Sequence, residues 1–263
     1  MATLTFTDQT NQTIQLNSYP KRIVSLVPSQ TELLFDLGLD EAVIGITKFC
    51  IHPNEWFRHK TRIGGTKNVN IEKVRSLQPD LIIANKEENT QSDIEVLQQI
   101  APVWISDIYD LTDALAMIEA VGAITNTAEK ATVISTQIAK AFDALQSAAV
   151  PSIVKPCLYL IWKKPYMAAG QHTFINDMLK RCGYSNVLPI NSRYPEVDIS
   201  QYQSIQNLTV LLSSEPYPFK AADIQLLQEQ LPHAHIQLVD GEMFSWYGSR
   251  LLQLPHYFKH SLH

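Results

Sequence analysis

Short apolar runs alternate with amphipathic stretches along nearly the whole chain. IVSLV (23–27) is almost continuously apolar, the pattern of a strand covered on both faces. Pro28 stops it. In the next stretch Leu33, Leu34 and Leu37 share one stripe, Ser29 or Thr31 stands at a capping position, Glu32 falls in the first turn and Gly38 follows the end. That is the pattern of a helix. The rhythm repeats with AVIGI, PDLIIA and PVWIS as strands, and IEKVRSLQ, TQSDIEVLQQI and LTDALAMIEAVGAI as helices. Past residue 150, CLYLIW, TVLLSS and IQLVD read as strands, and TFINDMLKRCG and DIQLLQEQL as helices. WYGSRLLQLPHYF reads as a last helix, kinked at Pro255. Pro79 and Pro102 stand just before strands, where a missing N–H does little harm. Residues 1–20 alternate loosely around DQTNQT and predict a peripheral hairpin. The alternation as a whole predicts an α/β fold with parallel sheets and helices on their faces.

Between Gly122 and Pro151 there is no glycine and no proline. The stretch 127–147 reads as one helix with Ile134, Ile138, Ala141 and Leu145 on a single stripe. At 1.5 Å rise per residue, such a rod is about 30 Å long. The pattern therefore predicts an N-terminal α/β lobe over 1–124, a linking helix over 125–150 and a C-terminal α/β lobe over 151–263. Two lobes tied by a stiff rod suit a protein that holds something in the cleft between them.

Composition narrows the classes. Of 263 residues, 45% are hydrophobic and 18% charged, which is globular. The net charge is −5 and the basic residues form no stripe, which argues against a nucleic-acid partner. No apolar run approaches the roughly 20 residues of a transmembrane segment. MATLTFTDQTNQTIQL lacks the basic and apolar regions of a signal peptide, so either an export signal has been removed or the protein stays in the cytoplasm. The three cysteines, Cys50, Cys157 and Cys182, form no C-x-x-C and predict no disulfide framework. Cys157 opens an apolar strand and Cys182 closes an amphipathic helix, which makes both core thiols.

Ligands of open α/β sheets lie beyond the carboxyl ends of the strands. The residues there are Pro28, Ser29 and Gln30, then Thr47, Lys48, Phe49, Cys50 and His52, then Asn85 and Lys86. In the second half they are Trp162, Tyr166 and Met167, then Tyr194, and then Phe244, Trp246, Tyr247 and Arg250. The set is rich in aromatics and poor in carboxylates, which suits a flat or bulky organic ligand held by stacking and burial. Arg250 or Lys48 can meet an anionic group on it. No nucleophile elbow, phosphate loop, zinc-protease helix or dinucleotide fingerprint is present. Cys50 and His52 form a C-x-H pair that admits a soft-metal site or a nucleophile, with no third ligand evident. His233, His235, His260 and His263 read as surface residues.

The phrases RIVSLVPSQTELLFDLGL, GITKFCIHP, RIGGTKNVNIEKVRSLQPDLIIA, PYMAAGQHTFINDMLKRCGYSNVLP, RYPEVDIS and LLSSEPYPF, in that order, resemble the cobalamin-type substrate-binding proteins of ABC importers. Their wider group binds iron–siderophores, haem and corrinoids. The resemblance implies two Rossmann-like lobes joined by one long helix, a monomer, a periplasmic location and no catalysis. It implies no intrinsic cofactor and no bound metal of the protein's own. The ligand would be a cobalt corrinoid or ferric chelate, and the partner an ABC permease dimer. It places Phe49, Trp162, Tyr194 and the 242–250 loop with Glu242 in the ligand cleft. Cys50, His52, Tyr166, Phe244, Trp246, Tyr247 and Arg250 complete the candidate set. Glu72 falls at a permease-docking position, whereas the corresponding acid on the second lobe is Ser200, with Asp198 close by. Thr66 and Asn85 stand where cobalamin-binding members can carry tryptophans. The alternative is a cytoplasmic corrinoid- or metal-handling enzyme or chaperone of the same fold, working through Cys50 and His52.

Overall fold

The computed structural model describes residues 3–148, 154–189 and 193–262. Contacts divide the chain into two compact units. The first comprises Met1–Ile108, Thr112–Ala139 and Tyr247–Leu252. The second comprises Tyr109–Leu111, Lys140–Trp246 and Gln253–His263.

The first unit is built on five parallel strands in the order Thr61–Arg62, Val43–Ile46, Ile23–Ser25, Leu81–Asn85 and Val103–Ser106. All five residues of Leu81–Asn85 are buried, as are all four of Val103–Ser106. This is why these strands read as unbroken apolar runs rather than as alternation. Helices Pro28–Asp36, Asn54–His59, Ile71–Leu77 and Gln91–Leu97 supply the crossovers, and Leu111–Ile124 follows the last strand. At the amino end Leu4–Thr7 pairs antiparallel with Thr13–Leu16, the expected hairpin.

The second unit has Lys155–Trp162 at its centre, parallel to Thr209–Ser213, which is in turn parallel to His235–Val239. Tyr184–Asn186 pairs parallel, and Met167–Ala168 antiparallel, with the central strand. Leu158, Leu160, Val210 and Leu212 interdigitate with Leu188, Ile199, Phe219, Leu227 and Leu231 to form the core.

Several expectations shift by a few residues, and three change in kind. The predicted caps Ser29 and Thr31 lie inside the helix, which begins at Pro28 after Val27 with no side-chain cap. Thr31 Oγ1 instead sits 2.9 Å from the Val27 carbonyl oxygen. The predicted final helix is instead a 3-10 turn Ser249–Leu252 followed by a short helix Leu254–Ser261. Gly248, at φ +152, interrupts the first part of the predicted span, and Pro255 occupies the first turn of the last helix, where its missing N–H costs nothing. Third, the helix expected over 125–150 runs over Ala128–Ala148, preceded by a turn at 125–127 in which Thr127 N–H donates to the Gly122 carbonyl oxygen. Residues 149–150 of the expected helix, and Pro151 after it, lie outside the described residues.

The buried stripe of that helix is Ala131, Ile134, Ile138, Phe142 and Leu145, with Phe142 in place of the expected Ala141. Its first turns pack on Leu111–Ile124 through Gly122, where an added Cβ would overlap Ala131 Cβ. Glycine is needed here for close approach, since its φ is ordinary. A helical Gly→Ala change gains about 1 kcal/mol from propensity alone. Gly122→Ala is nevertheless expected to destabilise by about 1–2 kcal/mol because overpacking wins. Urea unfolding measures the sign, and a stabilised variant would contradict the close packing.

Candidate functional site

At the carboxyl end of Val43–Ile46 the chain turns through Thr47, Lys48, Phe49 and Cys50. Thr47 Oγ1 lies 3.1 Å from Cys50 Sγ and accepts from Phe49 N–H at 3.3 Å. Thr31 Oγ1 lies 3.1 Å from the same sulfur and 2.8 Å from Ser25 Oγ. Thr47, Cys50, Thr31 and Ser25 are all fully buried. The turn they lock presents Phe49 outward, 50% exposed, with Lys48 Nζ 5.0 Å from its ring centroid.

Two strands along, Asn85 ends Leu81–Asn85 and is buried. Its Oδ1 accepts from the backbone N–H groups of Glu87 and Glu88 at 2.8 and 3.0 Å, and its Nδ2 donates to Ser106 Oγ at 2.9 Å. Asn89 Oδ1 accepts from Asn85 N–H, and Asn89 Nδ2 donates to the Thr66 carbonyl oxygen at 2.9 Å. Thr66 and Asn85 thus belong to one hydrogen-bonded loop assembly. An indole at position 85 would lose the amide bonds to Glu87, Glu88 and Ser106.

Arg250 Nε and Nη2 donate to the two oxygens of Glu32 at 2.8 and 2.7 Å, with side-chain exposures of 8% and 14%. A bidentate pair this far from water fixes the Tyr247–Leu252 segment on the first unit. Removing one partner strands a buried charge, at a cost of about 3–5 kcal/mol. Tyr247 Oη adds a bond to Glu88 Oε1 at 2.7 Å.

In the second unit Trp162 ends the central strand, 40% exposed, with its edge against Tyr217 at 5.7 Å. Tyr166 is half-buried against that core, and burial raises its phenol. Tyr194 and Glu242 are half-buried, and Glu242 begins the short Glu242–Ser245 helix. Phe244 is fully buried against Tyr159 at 5.2 Å. Trp246 is buried and donates Nε1–H to Glu215 Oε1 at 3.0 Å, an oxygen that also accepts from Ser245 Oγ at 2.6 Å. Burial raises the Glu215 carboxyl above its usual range, and these two hydrogen bonds pull it part of the way back.

Among the described residues, no helix is long and apolar enough to cross a membrane. Residues 23–234 match the periplasmic binding protein family.

The chain belongs to that family.

It is therefore a solute-binding protein and not an enzyme. It is 30% identical over 185 residues to the ABC transporter substrate-binding lipoprotein YvrC of Bacillus subtilis, a match covering 67% of this chain and 58% of YvrC. It is 24% identical over 236 residues to a vitamin B12-binding protein of Pectobacterium carotovorum, covering 89% of this chain and 85% of that protein. The periplasmic catecholate-siderophore binding protein VctP of Vibrio cholerae shares the fold at a TM-score of 0.81 and 14% identity, over 99% of this chain and all of VctP.

Four of the candidates are placed otherwise than expected. Cys50 is no working group: burial raises its thiol to about 11, so it is neutral at ordinary pH and enclosed by Thr31 and Thr47. His52 is half-buried, and no group of three or more metal-ligating side chains occurs among the described residues. Phe244 turns into the core and offers no face to a ligand. Arg250 is engaged by Glu32 instead of waiting for an anion. Periodicity misses such assignments because a partner 218 residues away leaves no local mark.

Cys157 and Cys182 are buried free thiols, both pushed upward by burial, Cys182 to about 12. A disulfide-exchange reagent at about pH 8 is therefore expected to leave all three cysteines of the native protein unmodified until denaturant is added. Fast stoichiometric labelling of Cys50 would restore the chemistry rejected above.

Proposed function

We propose that this chain is the solute-binding component of an ABC importer, carrying a bulky metal chelate of the corrinoid, haem or ferric-siderophore class. The observation that carries this reading is the pair of exposed rings, Phe49 and Trp162, each at the carboxyl end of a parallel strand. Around Phe49 the polar groups are consumed by internal bonds. What remains for a ligand is a ring face and the Lys48 ammonium beside it. Tyr166, Tyr194 and Glu242 are half-buried and are the further candidate contacts of the second unit. Trp246 and Tyr247 are buried, with their polar atoms tied to Glu215 and Glu88.

Fixed aromatic faces favour affinity because little side-chain freedom is lost on binding. Lys48 suits a propionate, phosphate or catecholate charge on the ligand. The polar assembly at Thr66 and Asn85 replaces aromatic surface that cobalamin-binding members can carry. We therefore favour a ligand whose contact on the first unit is smaller than an intact cobalamin.

The same reading assigns a permease-docking role to Glu72, 81% exposed on Ile71–Leu77, where its nearest cation is Arg75 at 3.6 Å. Asp198 takes that role on the second unit. It is exposed and caps the Ile199–Tyr202 turn by accepting from Ser200 N–H and Oγ at 3.0 and 2.8 Å. A solute receptor of this kind acts as a monomer outside the cytoplasmic membrane.

A visible-absorbance titration with cyanocobalamin, cobinamide, haemin and ferric catecholates tests the assignment. One of these is expected to bind tightly, with Phe49→Ala and Trp162→Ala each weakening it by about 1–1.5 kcal/mol, roughly tenfold. Failure of all four to bind would sink it.

A further inference from the structure

On the first unit, the turn that presents Phe49 is tied to a two-stranded hairpin. Lys48 N–H donates to the Gly64 carbonyl oxygen at 2.8 Å, and Gly64–Gly65 pairs antiparallel with Asn68–Val69. The hairpin lies against the exposed ring. A Cβ added at Gly65 would stand 3.2 Å from Phe49 Cε2 and 3.5 Å from Lys48 Cε, so glycine leaves room for both side chains. Thr66 and Lys67 form the hairpin tip, and Asn89 Nδ2 holds the Thr66 carbonyl oxygen at 2.9 Å. Turn and hairpin thus form one patch whose exposed side chains are Lys48, Phe49, Lys67 and Asn68.

The charges of this patch are not balanced within it. On the neighbouring loop Lys86 is neutralised by Asp107 at 2.5 Å, and Glu88 accepts from Tyr247 Oη. Among the described residues no carboxylate pairs with Lys48 or Lys67, and the Lys48 ammonium has the Phe49 ring beside it, 5.0 Å from the centroid. Solvated lysines are commonplace, but these two stand on backbone that is fixed around an exposed ring. A ligand that covers the ring brings its own charged groups to them.

We infer that the ligand of this surface is a multiply anionic chelate, whose apolar body covers the Phe49 ring while its negative groups meet the Lys48 and Lys67 ammoniums. This rests on the chelate-binding function proposed above and narrows it. Haem, with its two carboxylates, and ferric tris-catecholates qualify. Cyanocobalamin and cobinamide, which carry no net negative charge, do not. As the ligand covers the ring it also displaces water from the ammoniums, which strengthens their attraction to an anion and penalises a cationic group in the same place.

Visible titrations with chelates that differ in charge test this: haemin against its dimethyl ester, and ferric tris-catecholate against the neutral ferric tris-hydroxamate. The anionic member of one pair is expected to bind at least about tenfold more tightly than its neutral counterpart. Lys48→Gln and Lys67→Gln are each expected to weaken it about threefold to tenfold, and added salt to weaken it further. Lys48→Arg retains the affinity, and the neutral counterpart binds parent and variants alike, which separates a charge contact from a change in packing. Both lysines are exposed, and circular dichroism confirms that the variants fold. Equal binding of charged and neutral members, lysine substitutions without effect on the anion, or tighter binding of cyanocobalamin or cobinamide would overturn the inference and leave the chelate-binding function standing. Failure of every chelate to bind would overturn both.

Discussion

Strands buried on both faces must end somewhere, and the polar groups at their ends must find partners away from water. That requirement governs the first unit. Ser25, Asn85 and Ser106 sit at the carboxyl ends of three neighbouring parallel strands, Thr47 follows a fourth, and all four are buried. An unpaired polar atom in such a place costs about 1–3 kcal/mol. The chain answers with Thr31 and Cys50 around Ser25 and Thr47, with Gln30 Nε2 donating to Ser106 Oγ, and with Asn85 bonded to the loop beyond it. Loops tied down in this way hold their outward side chains still. Lys48 and Phe49 are exposed at the tip of the turn because the residues that flank the pair, Thr47 and Cys50, face inward.

The same economy of polar groups supports the proposed binding surface over a reactive one. Hydroxyls and a thiol are present at the strand ends, but they bond to one another, and burial keeps the thiol protonated. What projects outward is aromatic and cationic. In the second unit Glu215 is likewise turned inward to hold Trp246 and Ser245. Affinity must then come from apolar area, at roughly 25 cal/mol per Å² removed from water, less the cost of association.

Elements with strong periodicity or continuous apolarity were legible. Leu111–Ile124 follows the span its sequence marks, and Leu81–Asn85 and Thr209–Ser213 follow theirs to within a residue or two. Short elements were not. The six-residue helix Asn54–His59 and the two-residue ladder of Gly64–Gly65 with Asn68–Val69 carry too few side chains to show a period. Around residue 250 the apolar spacing resembled a helix, yet Gly248 and the demand of Glu32 for a partner broke it into short turns. Of the candidate site, the type of residue was visible in sequence, whereas its direction was not. Phe49 and Phe244 look alike in the chain, and only packing distinguishes the exposed ring from the buried one.

If affinity arises from covering preset rings, without covalent chemistry, heat capacity is the property that reports it. Calorimetric titration at several temperatures, with the chelate that binds, should give a clearly negative heat-capacity change and return the chelate chemically unaltered. A heat-capacity change near zero, or a chelate altered by contact with the protein, would contradict the account.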